Sequence, residues 1–235
     1  MAEVPLLSIE NLDAYYGPFR ALFGVSLCVE AGETISVIGE NSAGKTTLMK
    51  SILGMVRTGA GAIHFKGTPL LGLETHAIAR LGISMSPEGR RLFPSLTVEE
   101  NLLAGGQSKR KGIWSLARVY SMFPALEERR RQPATLLSGG QQQMTAIGRT
   151  LMSNPDLILI DELSLGLAPI VIKDIYSALP RITEAGTSAI IVEQDTAQAL
   201  AASGRVYCLR GGCVVLQGKP ADLTRDSIST AYFGA

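Results

Sequence analysis

Residues 34–47, TISVIGENSAGKTT, constrain the fold of this chain more than any other stretch. A β-rich run over 34–38 stops at a glycine, and Gly39-Glu40-Asn41-Ser42-Ala43-Gly44-Lys45-Thr46 then fits the spacing G-x-x-x-x-G-K-[ST]. Behind it TTLMKSILG reads as a helix, so the motif stands between a strand and a helix, as one step of an α/β domain. That context gives each residue a task. Backbone N–H groups along 39–47, through Thr47, can converge on phosphate oxygens, and the positive end of the helix dipole adds to their pull. Lys45 is placed for the β- and γ-phosphates, and the hydroxyl of Thr46 for a Mg²⁺ ion. A glycine turn that only happens to precede a lysine needs neither the strand nor the helix. The chain is therefore expected to bind a nucleoside triphosphate.

A second stretch complements the first. DLILIDE (156–162) is an apolar, β-rich run ending in two consecutive acids, and a buried carboxylate without a partner is costly. Asp161 at the strand's end can hold Mg²⁺ through water, and Glu162 beside it can take a proton from the water that attacks the γ-phosphate. Acids where a strand merely runs out into solvent would need no such explanation; the phosphate loop upstream favours the chemical reading. A third stretch, LLSGGQQQ (136–143), begins like a loop and continues as a helix. Ser138 and Gln141 have the S-x-x-Q spacing of a capping box, in which hydroxyl and amide satisfy reciprocal backbone N–H groups. With Gly139 and Gly140 in its first turn, this helix start leaves N–H groups open to an anion. The spacing does not say which anion.

The rest of the chain alternates strands and helices, with one long interruption. LLSIENLDAYY and the stretch around VSLCVEAG read as early strands, AIHFKG (62–67) as another, and His76 as part of a short helix. From about 86 to 158 the pattern is mostly helical. Thr97 and Glu100 form a second capping-box pair there, and Ile113, Leu116, Ala117 and Tyr120 recur on one helical face. Trp114 belongs with that segment, as core or interface. Alternation resumes with DLILID, a helix through PIVIKDIYSAL, SAIIVEQ (188–194) as a strand, and a terminal hairpin over 206–218 turning at Gly211-Gly212. The 235 residues suffice for one domain with a sizeable core. No apolar run reaches the roughly 18 residues of a membrane span. MAEVPLLSIEN lacks the basic start and apolar core of a signal peptide. Three cysteines, Cys28, Cys208 and Cys213, with no C-x-x-C pair, read as reduced thiols of a cytosolic protein. A formal net charge of +1 gives no reason to expect a nucleic-acid partner, and the basic runs SKRK and ERRRQ read as solvated helix ends.

The phosphate loop, then LSGGQ (137–141), then LILIDE (157–162), in that order, resemble an ATP-binding cassette (ABC) ATPase over nearly the whole chain. SPEGRRLFPSLTVEENL, GRTLMSNP, SLGLAPI and IVEQ narrow the resemblance to the ATPase subunits of branched-chain amino-acid importers, the LivF type. The resemblance implies an α/β P-loop NTPase core with an inserted helical subdomain (about 86–158) and an N-terminal antiparallel β region, residues 1–235 forming a single ABC ATPase domain. It implies hydrolysis of ATP with Mg²⁺, and a second ABC ATPase subunit as partner in a homo- or heterodimer. Two transmembrane permease subunits would sit above the pair, with a solute-binding protein delivering cargo. Such a subunit works in the cytoplasm, peripheral on the inner face of the cell membrane. The resemblance also says which anion LSGGQ meets. Two cassettes close head to tail, so Ser138, Gly139, Gly140 and Gln141 would act on the γ-phosphate held by the partner's phosphate loop.

Carried over one residue at a time, the resemblance gives Tyr16 the place of the aromatic that stacks on adenine, with Tyr15 as its rival. Glu88 stands where many relatives have a glutamine that links Mg²⁺ to the membrane partner. Arg90, Arg91 and Phe93 follow in the segment that faces that partner, unless they form only a solvated basic turn. Gln194 takes the place of a switch histidine, a replacement shared by the branched-chain type. His64 and His76 are not placed to stand in for it and read as surface or packing residues. Ser42 replaces a glycine of the loop, although serine resists the positive φ that glycine allows. Leu163 replaces a proline after the catalytic acid, and SLGL (164–167) lacks the aspartate common at the end of its loop. These departures keep open a catalytically weakened nucleotide-sensing module beside the favoured reading, a transport motor. A soluble repair or translation protein with two fused cassettes does not fit in 235 residues. Cargo is not written in this chain: amino acids are expected, and urea, amides and aromatic acids are carried by similar systems.

Overall fold

The computed structural model describes residues 4–234. Its strands are β1 (Leu7–Tyr16), β2 (Phe19–Val29), β3 (Thr34–Ile38), β4 (Arg57–Thr58), β5 (Ala62–Phe65), β6 (Thr68–Pro69), β7 (Ile83–Ser86), β8 (Leu157–Asp161), β9 (Ser188–Glu193), β10 (Arg205–Arg210) and β11 (Cys213–Gly218). Two sheets result. One is antiparallel in the order β2-β1-β5-β6, with β4 paired to β1 near its end. The other runs β11-β10-β3-β9-β8-β7 and is parallel except at β11.

The parallel sheet is covered on both faces, which is why its strands read as continuous apolar runs. Side chains alternate between two environments with period two. Ile35, Val37, Leu157, Leu159, Ile190, Val192, Tyr207 and Leu209 face the antiparallel sheet and helix α1 (Lys45–Ile52), which contributes Leu48, Met49 and Ile52. Ile158, Ile160, Ala189 and Ile191 face the opposite way, onto α6 (Gly139–Leu151) and α7 (Pro169–Glu184). Ile38, Val206 and Cys208 pack with α8 (Thr196–Ala202) and α9 (Arg225–Phe233). Each large side chain so buried contributes about 1.5–3 kcal/mol relative to exposure.

Helix α2 (Thr75–Leu81) leads into β7, and residues 87–156 then run through α3 (Val98–Gly105), α4 (Leu116–Met122), α5 (Pro124–Glu128) and α6. Both capping boxes form. Thr97 and Glu100 start α3, and Ser138 and Gln141 start α6. The helical face drawn through Ile113 needs correction: α4 begins only at Leu116, where the Ser115 hydroxyl accepts from the Arg118 N–H at 3.3 Å. Ile113 lies exposed in the preceding loop, whereas Trp114 in that loop is buried, its indole N–H donating to the Thr187 hydroxyl at 3.0 Å. The run SKRK is not simply solvated either. Arg110 bridges to the Asp156 carboxylate at 2.6 Å and donates to the carbonyls of Arg80 and Asn154 at 2.8 and 3.1 Å. The three cysteines are free thiols, Cys208 buried and the others half-buried.

Candidate nucleotide site

Parallel strands present their C-terminal ends on one edge of the sheet, and open α/β sheets bind ligands at that edge. Four such ends meet here. β3 runs into the loop 39–44 and α1, β7 ends two residues before Glu88, β8 delivers Asp161 and Glu162, and β9 delivers Glu193 and Gln194. A cavity of about 730 Å³ opens at this edge, lined in part by 41–42, 44–47, Glu88, Glu162 and Gln194.

The loop's shape follows from its glycines and its burial. Gly39 has φ 151°, and a Cβ there would lie 2.2 Å from the Leu209 carbonyl oxygen, so no side chain fits. Ser42 does adopt the left-handed φ that serine disfavours, at 68°. Gly39 and Ala43 are buried beneath the loop, while Glu40, Asn41 and Ser42 stand exposed above it. Lys45 is buried, its ammonium donating to the carbonyls of Gly39 at 2.5 Å and Glu40 at 2.9 Å. Burial pulls this ammonium below its ordinary pKa, and the carboxylates of Glu162, Asp161 and Glu193 pull it back up. A cation is thus held in a desolvated place, where it interacts strongly with an anion.

Asp161 is 1% exposed, and its Oδ1 has no hydrogen-bond partner. Burial pushes its pKa up to about 6, against the opposing effect of a hydrogen bond with the Thr46 side chain; the nearby charges of Glu162 and Glu88 push the same way as burial. A buried carboxylate with a free lone pair, beside a threonine hydroxyl, is an all-oxygen donor set suited to a small hard dication. Among the described residues no three His, Cys, Asp or Glu side chains cluster tightly enough to hold a metal by themselves. That fits Mg²⁺, which takes one or two carboxylates and completes its shell with phosphate and water.

Glu162 follows directly and takes φ 50°, its N–H donating to the Val192 carbonyl at 3.1 Å. Its Oε1 accepts from the Gln194 amide at 2.7 Å. Residues 162 and 194, 32 positions apart, are thus joined because β8 and β9 are neighbours in register. Tyr16 lines the cavity and is 45% exposed; Tyr15 does not line it and instead carries the Arg57 guanidinium over its ring at 4.9 Å. Glu88 lines the rim and is exposed.

Ser138, Gly139, Gly140 and Gln141 do not line this cavity. They start α6, where a Cβ on Gly140 would meet Val171 Cγ1 at 2.1 Å, so close packing against α7 demands glycine. Arg90 reaches the same helix start, donating to Gln142 Oε1 at 3.0 Å. Arg90 and Arg91 both have positive φ, at 64° and 46°. Their carbonyls are caught by the Arg149 guanidinium at 3.0 and 2.7 Å, which also sits over the exposed Phe93 ring at 5.4 Å. The segment 88–93 is therefore a pinned structure and not a loose basic turn.

Several cavity residues had no counterpart in the sequence reading. Phe19, Ala21 and Phe23 line it at every second position of β2, with Arg20 between them, and Gly211 and Gly212 come from the β10–β11 turn. The period of two was the available signal. Glu193 was missed as well, although an acid closing the apolar run SAIIV repeats the pattern of DLILID. It is 1% exposed, and its carboxylate accepts from the N–H and hydroxyl of Ser164 at 3.0 and 2.8 Å, the Tyr176 hydroxyl at 2.7 Å and the Gln194 N–H at 3.3 Å. Burial and the Glu193 charge raise the Tyr176 pKa.

The family model for ABC transporters matches residues 22–164. The chain is 43% identical over 232 residues to the high-affinity branched-chain amino acid transport ATP-binding protein BraG of Pseudomonas aeruginosa, covering 97% of this chain and 100% of that one. Its fold is similar to MJ1267, an ATP-binding cassette of an ABC transporter (TM-score 0.80, 27% identity, 97% of this chain and 95% of that one). It is also similar to a dimeric structure of MJ0796, a bacterial ABC transporter cassette (TM-score 0.79, 25% identity, 91% and 98%). With phosphate loop, strand-end acids and the LSGGQ start of α6 on this scaffold, the chain belongs to the ATP-binding, ATP-hydrolysing subunits of the ABC transporter family.

Proposed function

We propose that this chain powers an importer for branched-chain or related amino acids. One observation carries the hydrolytic part: Lys45, Glu162 and Gln194 face one cavity, with Glu162 and Gln194 joined at 2.7 Å. The phosphates of ATP lie over 39–47, within reach of Lys45, and adenine stacks on Tyr16. Thr46 and Asp161, with Glu88 at the rim, would hold Mg²⁺, which neutralises phosphate charge. Glu162 takes the proton of the attacking water. The neutral amide of Gln194 cannot shuttle that proton near neutral pH; it orients the Glu162 carboxylate.

Residues 138–141 of LSGGQ lie off this chain's own cavity, which supports their acting on ATP bound to a second cassette, identical or paired. No helix among the described residues is long and apolar enough to cross a membrane. In this reading two transmembrane permease subunits form the path and contact the segment 88–93, a solute-binding protein delivers cargo, and the chain works in the cytoplasm on the inner face of the membrane. The full-length likeness to BraG supports the cargo class.

Uptake by cells tests both parts. Cells whose only copy carries Lys45→Ala should lose uptake of labelled leucine, isoleucine and valine and keep that of urea and acetamide. Selective loss of urea or amide uptake would reassign the cargo, and unchanged uptake of every solute would remove the transport reading. In the assembled transporter, Ser138→Arg in this chain should stop hydrolysis at the partner's site; normal turnover there refutes the trans role.

A further inference from the structure

The acid Glu162 sits in left-handed backbone, which costs of order 1–3 kcal/mol for a non-glycine residue and persists only where neighbours over-determine it. No proline follows to stiffen the turn; Leu163 stands there, fully buried in the helical core. The next residue, Ser164, is held by both its N–H and its hydroxyl, and both end on Glu193. Glu193 also takes the Gln194 N–H and, from α7, the Tyr176 hydroxyl. One buried carboxylate therefore grips the chain on the far side of Glu162 and, at the same time, the backbone of the residue whose amide holds the Glu162 side chain.

A purely structural duty explains this poorly. Buried charged groups are often replaceable by well-packed apolar ones without loss of stability, whereas donors aimed at a fixed carboxylate set geometry. Four donors converge on Glu193 and no cation is hydrogen-bonded to it among the described residues.

We infer that Glu193 is a positioning residue for hydrolysis: it clamps the loops after β8 and β9 so that Glu162 and Gln194 keep their mutual geometry. The inference rests on the reading of Glu162 as general base. Glu193 itself is 1% exposed and does not line the cavity.

The test compares ATP turnover and nucleotide affinity of the wild type and its variants in the assembled transporter, with the catalytic acid of any paired subunit disabled so that only this chain's site reports, and with folding checked by thermal unfolding. Glu193→Gln keeps the shape but turns an NH₂ group towards donors. It should lower kcat by roughly 10–100-fold, the scale of a misplaced catalytic group, with KM for ATP and affinity for a fluorescent ATP analogue within about twofold. Tyr176→Phe and Ser164→Ala each remove one donor and should give smaller losses of the same kind, in kcat and not in KM. In the double variant Glu162→Gln/Glu193→Gln the second change should add no more than about twofold, because both act on one step. A folded Glu193→Gln with wild-type kcat, a KM that rises as far as kcat falls, or an additive double variant overturns the inference. If Glu193→Gln does not fold, Tyr176→Phe and Ser164→Ala decide by the same criterion, and wild-type kcat in both overturns it. Glu162→Gln alone separates the two readings: wild-type turnover in that variant removes the general base itself, whatever Glu193→Gln does.

Discussion

Asp161 holds its carboxylate where we propose that Mg²⁺ binds, and without a cation so buried a charge is a liability. Its pKa stands near 6, against an ordinary 3.8, chiefly because burial disfavours the charged form. The folded state therefore binds the proton more tightly than the unfolded chain does. Stability from this group falls as pH rises from about 4 to about 6, then stays level, the full loss being about 3 kcal/mol. Asp161→Asn preserves the shape and removes the charge. In EDTA the variant should exceed wild type in stability by a few kcal/mol at pH 7.5 and by clearly less at pH 5. Urea unfolding at the two pH values measures this, and comparing the variants cancels other titrating groups. Adding MgATP at about 100 times its Kd should stabilise wild type by about 2.7 kcal/mol and the variant far less, closing the gap. A gap that does not widen with pH, or a wild type more stable than Asp161→Asn in EDTA at pH 7.5, would refute the burial argument.

Other expectations follow from single contacts. Gln194→Ala removes the donor 2.7 Å from Glu162 and should slow single-turnover hydrolysis about tenfold, whereas Glu162→Gln should cost about 10²–10⁴; equal losses would make Gln194 the reacting group. Gly140→Ala drives a methyl to 2.1 Å from Val171 and should destabilise by about 1–3 kcal/mol in urea unfolding, with Val171→Ala in the same chain restoring most of it. Arg149→Lys cannot span the carbonyls of Arg90 and Arg91; about 1–2 kcal/mol should be lost, with faster proteolysis within 88–93 than elsewhere.

Much of this architecture was legible because its signals are local. The phosphate loop needs a strand before it and a helix behind it, and both write themselves in periodicity. The capping boxes at Thr97 and Ser138 are fixed by three-residue spacing, and the Gly211-Gly212 turn by its glycines. What escaped was brought together by the sheet. β7 is only four residues long with two half-buried side chains, too short and too mixed to declare itself. Ile113 was placed on a helix because its spacing to Leu116, Ala117 and Tyr120 allowed it, and Trp114 went with it, but Ser115 caps the helix after them and its cap wins. Arg110 looked solvated because its partners Asp156, Asn154 and Arg80 lie 30 to 46 positions away. Glu193 carries no local signal, because donors to its carboxylate come from Ser164 and Tyr176, 29 and 17 positions away. Which of Tyr15 and Tyr16 lines the cavity depends on the face of β1 that it occupies, and a strand's sequence does not name its faces.

The strand order has a consequence for biosynthesis. β3, which launches the phosphate loop, lies between β9 and β10, and its loop leans on the Leu209 backbone and accepts the Gly212 N–H at the Ala43 carbonyl. Nothing made before residue 188 can pair with β3 on either side. At about 5–20 residues per second, the ribosome needs on the order of ten to thirty seconds to travel from that strand to the segment that completes its cradle. For most of that interval, until β9 is made, the apolar strand waits unpaired in the nascent chain, and its glycine-bearing loop waits to the end of it. The phosphate loop, made early, is among the last parts of the nucleotide site to be completed, and a ribosome stalled before β10 leaves a chain that carries the whole phosphate-loop motif and cannot close it.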